Sequence, residues 1–345
     1  FQGHRGGSMS SSEISLQAAR FGLSMLVIIP GIYASVWLDS KLGADLQARV
    51  GPSRTGAAGW LQPFADFLSL LRKYRPGGKG EHGTLLWWAE GLPLFALVAL
   101  TPIGRETPLL STGFSVFFAL FMAIAHSWAG LWLTWGSGTL EARFASLRQA
   151  ALGAAGLPAA FLSLLQAGFS YGGLSWQKVE ASQGWAPWSW LAFQGPFAAV
   201  SALVFLSAGL ILFSVPPFYL GNESLRWVVA AHPGESGVRQ VWLRLSRRVA
   251  HFCWVLLAVR IFFGGASLPE GLLVGLGVGV AGFQSIAIGV TLLKALCLIA
   301  GLSILARTLP SVRSDQAHDF AWRVLSPMAL IALLGARLVA GGGAS

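Results

Sequence analysis

FSVFFALFMAIAHSWAGLWLTW, residues Phe114–Trp135, runs without a single formal charge. An α-helix needs about 20 such residues to cross the hydrocarbon core of a bilayer. The run ends in Trp132 and Trp135, aromatic residues of the kind that settle at a membrane–water interface. Working outward, comparable apolar runs lie at Ala18–Leu38, Leu85–Ile103, Leu147–Phe169, Leu191–Val215, Val249–Phe263 and Trp322–Val339. A further one lies within Leu272–Ala306, longer than one span needs and therefore expected to tilt. The pattern predicts an all-α, polytopic membrane protein with about eight transmembrane helices.

Composition agrees. The 345 residues are 54% hydrophobic and 11% charged, with a mean hydropathy of +0.62. Soluble domains carry about 25% charged residues, and barrel strands would alternate in short segments. The first eight residues, FQGHRGGS before Met9, resemble an expression remnant, so 9–345 is read as a single integral membrane domain.

The net charge of +10 is explained by the loops, without nucleic acid. Seventeen basic residues fall in the odd-numbered loops, and only Arg105 and Lys178 in the even ones. The odd loops are therefore expected in the cytoplasm and both termini on the other side of a bacterial-type inner membrane. Cys253 and Cys297 lie in apolar segments, with no CxxC and no Cys/His cluster. They are expected to be small buried hydrophobes, with no metal site in this chain. No nucleotide loop or nucleophile triad is present, so no catalytic residue is assigned. The absence of internal repeats weighs against an inverted-repeat transporter.

The loop at residues 39–84 is unlike the others. Its core, RVGPSRTGAAGWLQPFADFLSLLRK at Arg49–Lys73, is a glycine-rich turn running into an amphipathic helix at about 59–73. Trp60, Leu61, Phe64, Phe67, Leu68 and Leu71 form one stripe, and Gln62, Asp66, Ser69 and Lys73 the other. Such a helix lies in the membrane interface, with Pro63 tolerated in its first turn. The pattern leaves open whether it only anchors the loop to lipid or lines a site roofed by a partner.

This stretch resembles the loop after the first helix in the membrane subunit 1 (H-type) family of respiratory complex I, NADH:quinone oxidoreductase, and related energy-converting hydrogenase-type complexes. That family reads approximately RxGPNRVGxxGLLQPxADxxKLLxK. KALCLIAGLSILARTLP at Lys294–Pro310 and the following SVRSDQ resemble the family's lysine, TLP and YDQ run. PFYL at Pro217–Leu220 and SGVR at Ser236–Arg239 stand against PFDL and SGMR. Together these cover nearly the whole chain from Met9.

The resemblance implies a subunit at the heel of a membrane arm. With soluble iron–sulfur and reductase-type subunits on its cytoplasmic face, it would enclose a quinone chamber and couple quinone reduction to proton translocation. Antiporter-like membrane subunits and lipid would be its other neighbours. The quinone would be shared with those partners, and no cofactor would be bound by this chain alone. Arg49, Arg54 and Asp66 would belong to the loop-one side of the chamber, and Arg307, Arg313 and Asp315 to its loop-seven edge. Lys294 would be the family's lysine inside the seventh span.

Departures from the family pattern are concentrated in its carboxylates. Tyr219 replaces the aspartate of PFDL, Arg226 and Gly234 replace glutamates, and Glu223 and Glu235 are displaced by one position. Gly156 and Arg247 stand where the family has glutamates within or near spans. A proton path through hydrocarbon needs groups that change protonation. The candidates are Lys294, Glu223, Glu235 and His126, with Glu90 the lone acid within the spans. Arg260 and Arg337 are expected to snorkel toward an interface. The chain thus reads as a divergent member whose carboxylate path is lost or rerouted. The rival reading is a non-redox membrane adaptor that docks soluble subunits onto an ion-transport module.

Overall fold

A computed structural model describes residues 11–72, 84–104, 113–136, 140–218, 237–269 and 279–342. Among these the regular structure is entirely helical. Helix α1 spans Ser11–Leu46, α2 Gln62–Leu71, α3 Thr84–Leu100 and α4 Ser115–Gly136. Helix α5 spans Leu140–Tyr171, α6 Trp176–Ser182 and α7 Pro196–Leu212. Then come α8, Gly237–Phe262, α9, Val280–Thr308, and α10, Ser314–Phe320. A π-helical turn at Ala321–Leu325 leads into α11, Ser326–Gly342. Pro30, Pro93 and Pro158 lie inside α1, α3 and α5, which helices packed among neighbours tolerate.

The expected count of about eight spans is corrected by this arrangement. Among the described residues four helical stretches are long and apolar enough to cross a membrane: Ser115–Gly136, Arg143–Tyr171, Gly282–Thr308 and Ser314–Val339. Helices α3 and α7, with 17 residues each, are shorter. At 1.5 Å per residue neither reaches the roughly 30 Å of a hydrocarbon core. Helix α8 fails for a different reason, since Arg244, Arg247, Arg248 and Arg260 interrupt it. It is instead the centre of the molecule. It touches α1, α2, α3, α4, α6, α7 and α9, and every residue from Phe252 to Phe262 is buried.

Close packing onto α8 depends on small residues facing large ones. Trp254 stacks on Phe205 of α7 with ring centroids 4.4 Å apart and planes 9° apart. Its indole N–H donates to the Phe205 carbonyl at 3.2 Å. A Cβ on Gly209 would lie 2.1 Å from that indole nitrogen, so only glycine admits the tryptophan here. Cys253 is buried as expected, whereas Cys297 is exposed on α9. The latter corrects the expectation that both are buried.

Candidate functional site

Loop one is held in shape before α2 begins. Gly56 and Gly59 both have positive φ, at 75° and 72°. A Cβ on Gly59 would fall 2.0 Å from the Pro52 carbonyl oxygen. These two glycines bring Thr55 back onto the following turn, where Leu61 N–H donates to the Thr55 carbonyl at 3.0 Å. The Thr55 hydroxyl donates to Gln62 Oε1, and Gln62 Nε2 donates to Asp66 Oδ1 at 2.9 Å. The polar stripe of α2 is thus a short relay of hydrogen bonds rather than a set of separate groups.

Trp60 fastens this loop to α1. Its ring sits 5.2 Å from those of both Tyr33 and Trp37. The Tyr33 hydroxyl donates to the Trp60 carbonyl, and Trp37 Nε1 donates to that of Ala58 at 3.2 Å. The helix expected at about 59–73 is formed over Gln62–Leu71, after a 3-10 turn at Ala57–Gly59. Its apolar stripe, Leu61, Phe64, Phe67, Leu68 and Leu71, is exposed. Arg49, Arg54 and Asp66 are exposed as well.

Loop seven reaches the same end of the molecule. Asp39 near the end of α1 accepts a hydrogen bond from Ser303 at 2.9 Å and pairs with Arg248 at 3.5 Å and Arg307 at 3.6 Å. One carboxylate therefore gathers α1, α8 and α9. Beyond α9, Val312 N–H donates to the Pro217 carbonyl at 3.0 Å, and Phe320 stacks on Phe218 at 5.6 Å. Two of the sequence motifs, at Pro217 and at loop seven, are in contact. Arg313 and Asp315 form a bidentate pair at 3.1 and 2.9 Å on the exposed side of this loop.

Among the described residues, the candidates for proton transfer do not form one chain. Glu90 is 1% exposed. Its Oε1 accepts from Ser246 at 2.8 Å and its Oε2 from Trp242 Nε1 at 3.1 Å. His126 Nδ1 lies 3.2 Å from the Glu90 main-chain oxygen, so Nδ1 carries the proton and Nε2 is left as the basic atom. Arg247 is near enough for its charge to act on both. In the sequence Glu90 stands out only as a lone acid in an apolar run. Position alone cannot separate such a residue from an interfacial one, so it does not rank there among the site residues.

Lys294 lies elsewhere. Its Nζ donates to the carbonyls of Phe263 at 3.0 Å and Gly265 at 3.1 Å, and sits 4.2 Å from the Trp190 ring centroid. Arg260 does not snorkel: it is 1% exposed and forms an ion pair with Glu180. Burial is tolerable because that carboxylate meets it. Arg337 is exposed, its guanidinium 3.9 Å from the Phe169 ring centroid. Glu223 and Glu235, like Tyr219, Arg226 and Gly234, lie outside the described residues. Among the described residues no group of three or more His, Cys, Asp or Glu could hold a metal.

Long apolar helices around a buried, arginine-bearing one, with two patterned loops tied together at one end, define a multi-pass membrane protein. The chain belongs to the NADH dehydrogenase family, whose family model matches residues 20–336. It is similar to an NADH-quinone oxidoreductase subunit of Anaeromyxobacter dehalogenans (strain 2CP-C), with 28% identity over 334 residues. That alignment covers 92% of this chain and 79% of the relative. The chain is accordingly a membrane-arm subunit of a complex I-like assembly.

Proposed function

We propose that this subunit walls a quinone chamber at the end where loops one and seven meet, and couples quinone reduction to proton translocation. The observation that carries the reading is the convergence on Asp39, which ties the helices leading into both loops to α8. Helix α2 offers what an amphiphilic quinone needs. Phe64, Phe67 and Leu68 can meet an isoprenoid tail, while Gln62 and Asp66 present polar atoms suited to a ring oxygen. The chamber is completed by soluble iron–sulfur and reductase-type subunits on the cytoplasmic face, and the membrane arm continues into antiporter-like subunits. In this reading the assembly sits in a bacterial-type inner membrane.

The proton path is rerouted. Arg247 stands where the family has a glutamate, and the nearby carboxylate is Glu90 on α3. Glu90, held by Ser246 and Trp242 and backed by His126, takes the part of the missing acid. Glu223 and Glu235 are not required in this scheme.

Photolabelling of the reconstituted assembly with a reactive quinone analogue tests the chamber. Label is expected within Gln62–Leu71, with a raised quinone KM in Phe67→Ala. Quinone turnover with no label at α2, and no response to Phe67→Ala, would favour the adaptor role instead. Proton uptake by the same vesicles tests the path: neutralising Glu223 or Glu235 is expected to leave it intact, and loss of pumping in either variant removes the rerouted scheme.

A further inference from the structure

The outer sides of α3 and α4 carry a surface built from aromatic rings. On α4, Phe118, Phe121, Trp128 and Trp132 recur at steps of three, seven and four residues, so they fall on one face. On α3, packed alongside, Trp88 and Phe95 are seven residues apart and share a face as well. These side chains are between 36% and 65% exposed. At ~200 Å² per aromatic side chain they leave roughly 600 Å² of ring surface open. One side of a specific protein interface needs about that much at its lower limit.

The other long apolar helices are finished differently. The large apolar side chains exposed on α9 are Ile286, Leu293, Ile304 and Leu305, and α11 exposes chiefly leucines, with no ring among the described residues of either helix. An aliphatic surface matches the lipid tails it meets, whereas rings are enriched where proteins meet. A headgroup belt accounts for Trp132, near the end of its span, but not for Trp128. Trp128 stands eight residues before Gly136, which places it about 12 Å inside that end of the helix and about 4 Å from its midpoint.

The polar edge of Trp128 points to what covers it. Its indole N–H forms no hydrogen bond with the described residues, and hydrocarbon offers no acceptor. Trp254 shows how this fold satisfies a deep indole. Gly209 on α7 lacks the Cβ that would block the ring, and the carbonyl of Phe205, four residues earlier, accepts from it. A glycine in a facing helix thus seats the ring and uncovers an acceptor at the same time.

We propose that the α3–α4 face docks a transmembrane helix of a neighbouring membrane subunit. That helix presents a glycine or other small residue to seat a ring, and a main-chain or hydroxyl oxygen that accepts from Trp128. The inference rests on the membrane-arm reading above and adds the face through which the arm continues. Glu90 lies on the inner side of the same pair, its Oε1 3.7 Å from where a Cβ on Gly130 of α4 would sit. Helices α3 and α4 therefore stand between the docked helix and the buried acid.

The test uses the intact assembly in its native membrane. A photoreactive p-benzoylphenylalanine is placed at Phe121 and, separately, at Leu334 on α11, and the products are read by mass spectrometry. The probe at Phe121 is expected to cross-link to a different membrane subunit, and the probe at Leu334 to lipid. Trp128→Phe keeps a ring and removes the donor. It should lower retention of that subunit during detergent washing about threefold to tenfold, the scale of one hydrogen bond between membrane helices. Where Trp128→Phe does not assemble, the cross-link at Phe121 decides. Lipid adducts alone at Phe121, a cross-link between two copies of this chain, or full retention in Trp128→Phe overturns the proposal. If other membrane subunits are still present in the assembly, any of these results removes only the docking face. An assembly holding no other membrane subunit removes the membrane-arm reading with it.

Discussion

Glu90 is a carboxylate with almost no exposed surface, inside a helix otherwise apolar from Trp88 to Leu100. Two donors on α8 hold its oxygens, and removing either should be felt. Ser246→Ala leaves one oxygen short of a partner, which costs on the order of 1–3 kcal/mol and should lower the melting temperature of the purified assembly. Glu90→Gln preserves volume but cannot take up and release a proton. If the rerouted path is correct, the variant should assemble and reduce quinone while proton uptake by reconstituted vesicles is abolished; unchanged uptake would exclude Glu90. Gly59 makes a different kind of prediction. Gly59→Ala requires a positive φ and a Cβ inside the Pro52 carbonyl. The strain, about 1–3 kcal/mol or more, should open loop one and raise its protease sensitivity without unfolding the helices.

At the level of helices, α2 buries none of its own residues. Its position is set by what precedes it, the Trp60 ring wedged against Tyr33 and Trp37 of α1. Trp60→Ala should therefore release α2 while leaving its helical pattern intact. Amide hydrogen exchange over Gln62–Leu71 is expected to accelerate by at least about tenfold, the equivalent of 1.4 kcal/mol of lost anchoring. Exchange across α8 should stay as it was. Unchanged protection at α2 would mean that its neighbours on α8, rather than Trp60, hold it.

Across the whole molecule, α8 is the part on which the other helices depend. Gly209→Leu would drive a side chain into the Trp254 indole. Overpacking of this sort costs about 1–3 kcal/mol, occasionally more, and here it separates α7 from the central helix. Loss of the assembled, detergent-stable protein is expected, with a lowered melting temperature as the milder outcome. Sidedness is a second property of the whole chain. The charge bias of the loops predicts that cysteines placed at Arg54 and at Trp188 react with an impermeant thiol reagent from opposite faces of sealed vesicles. The test requires Cys297, which is exposed, to be replaced first. Reaction from one face would contradict the expected orientation.

Helical character, membrane residence and the special status of Arg49–Lys73 were legible in the residues alone, because each is a local pattern. A charge-free run such as Phe114–Trp135 declares its solvent wherever it occurs, and glycines before an amphipathic stripe declare a turn before a helix. What crosses a bilayer was not legible to the same degree. Helices α3 and α7 fall short, and α8 carries arginines into the centre; whether such a segment meets lipid or other helices depends on its neighbours, not on its own hydropathy. Arg260 shows the same limit, since the carboxylate that lets it stay buried is 80 residues away in the chain at Glu180. Burial, ion pairing and the convergence of loops on Asp39 are relations between distant segments, and only the tertiary structure could decide them.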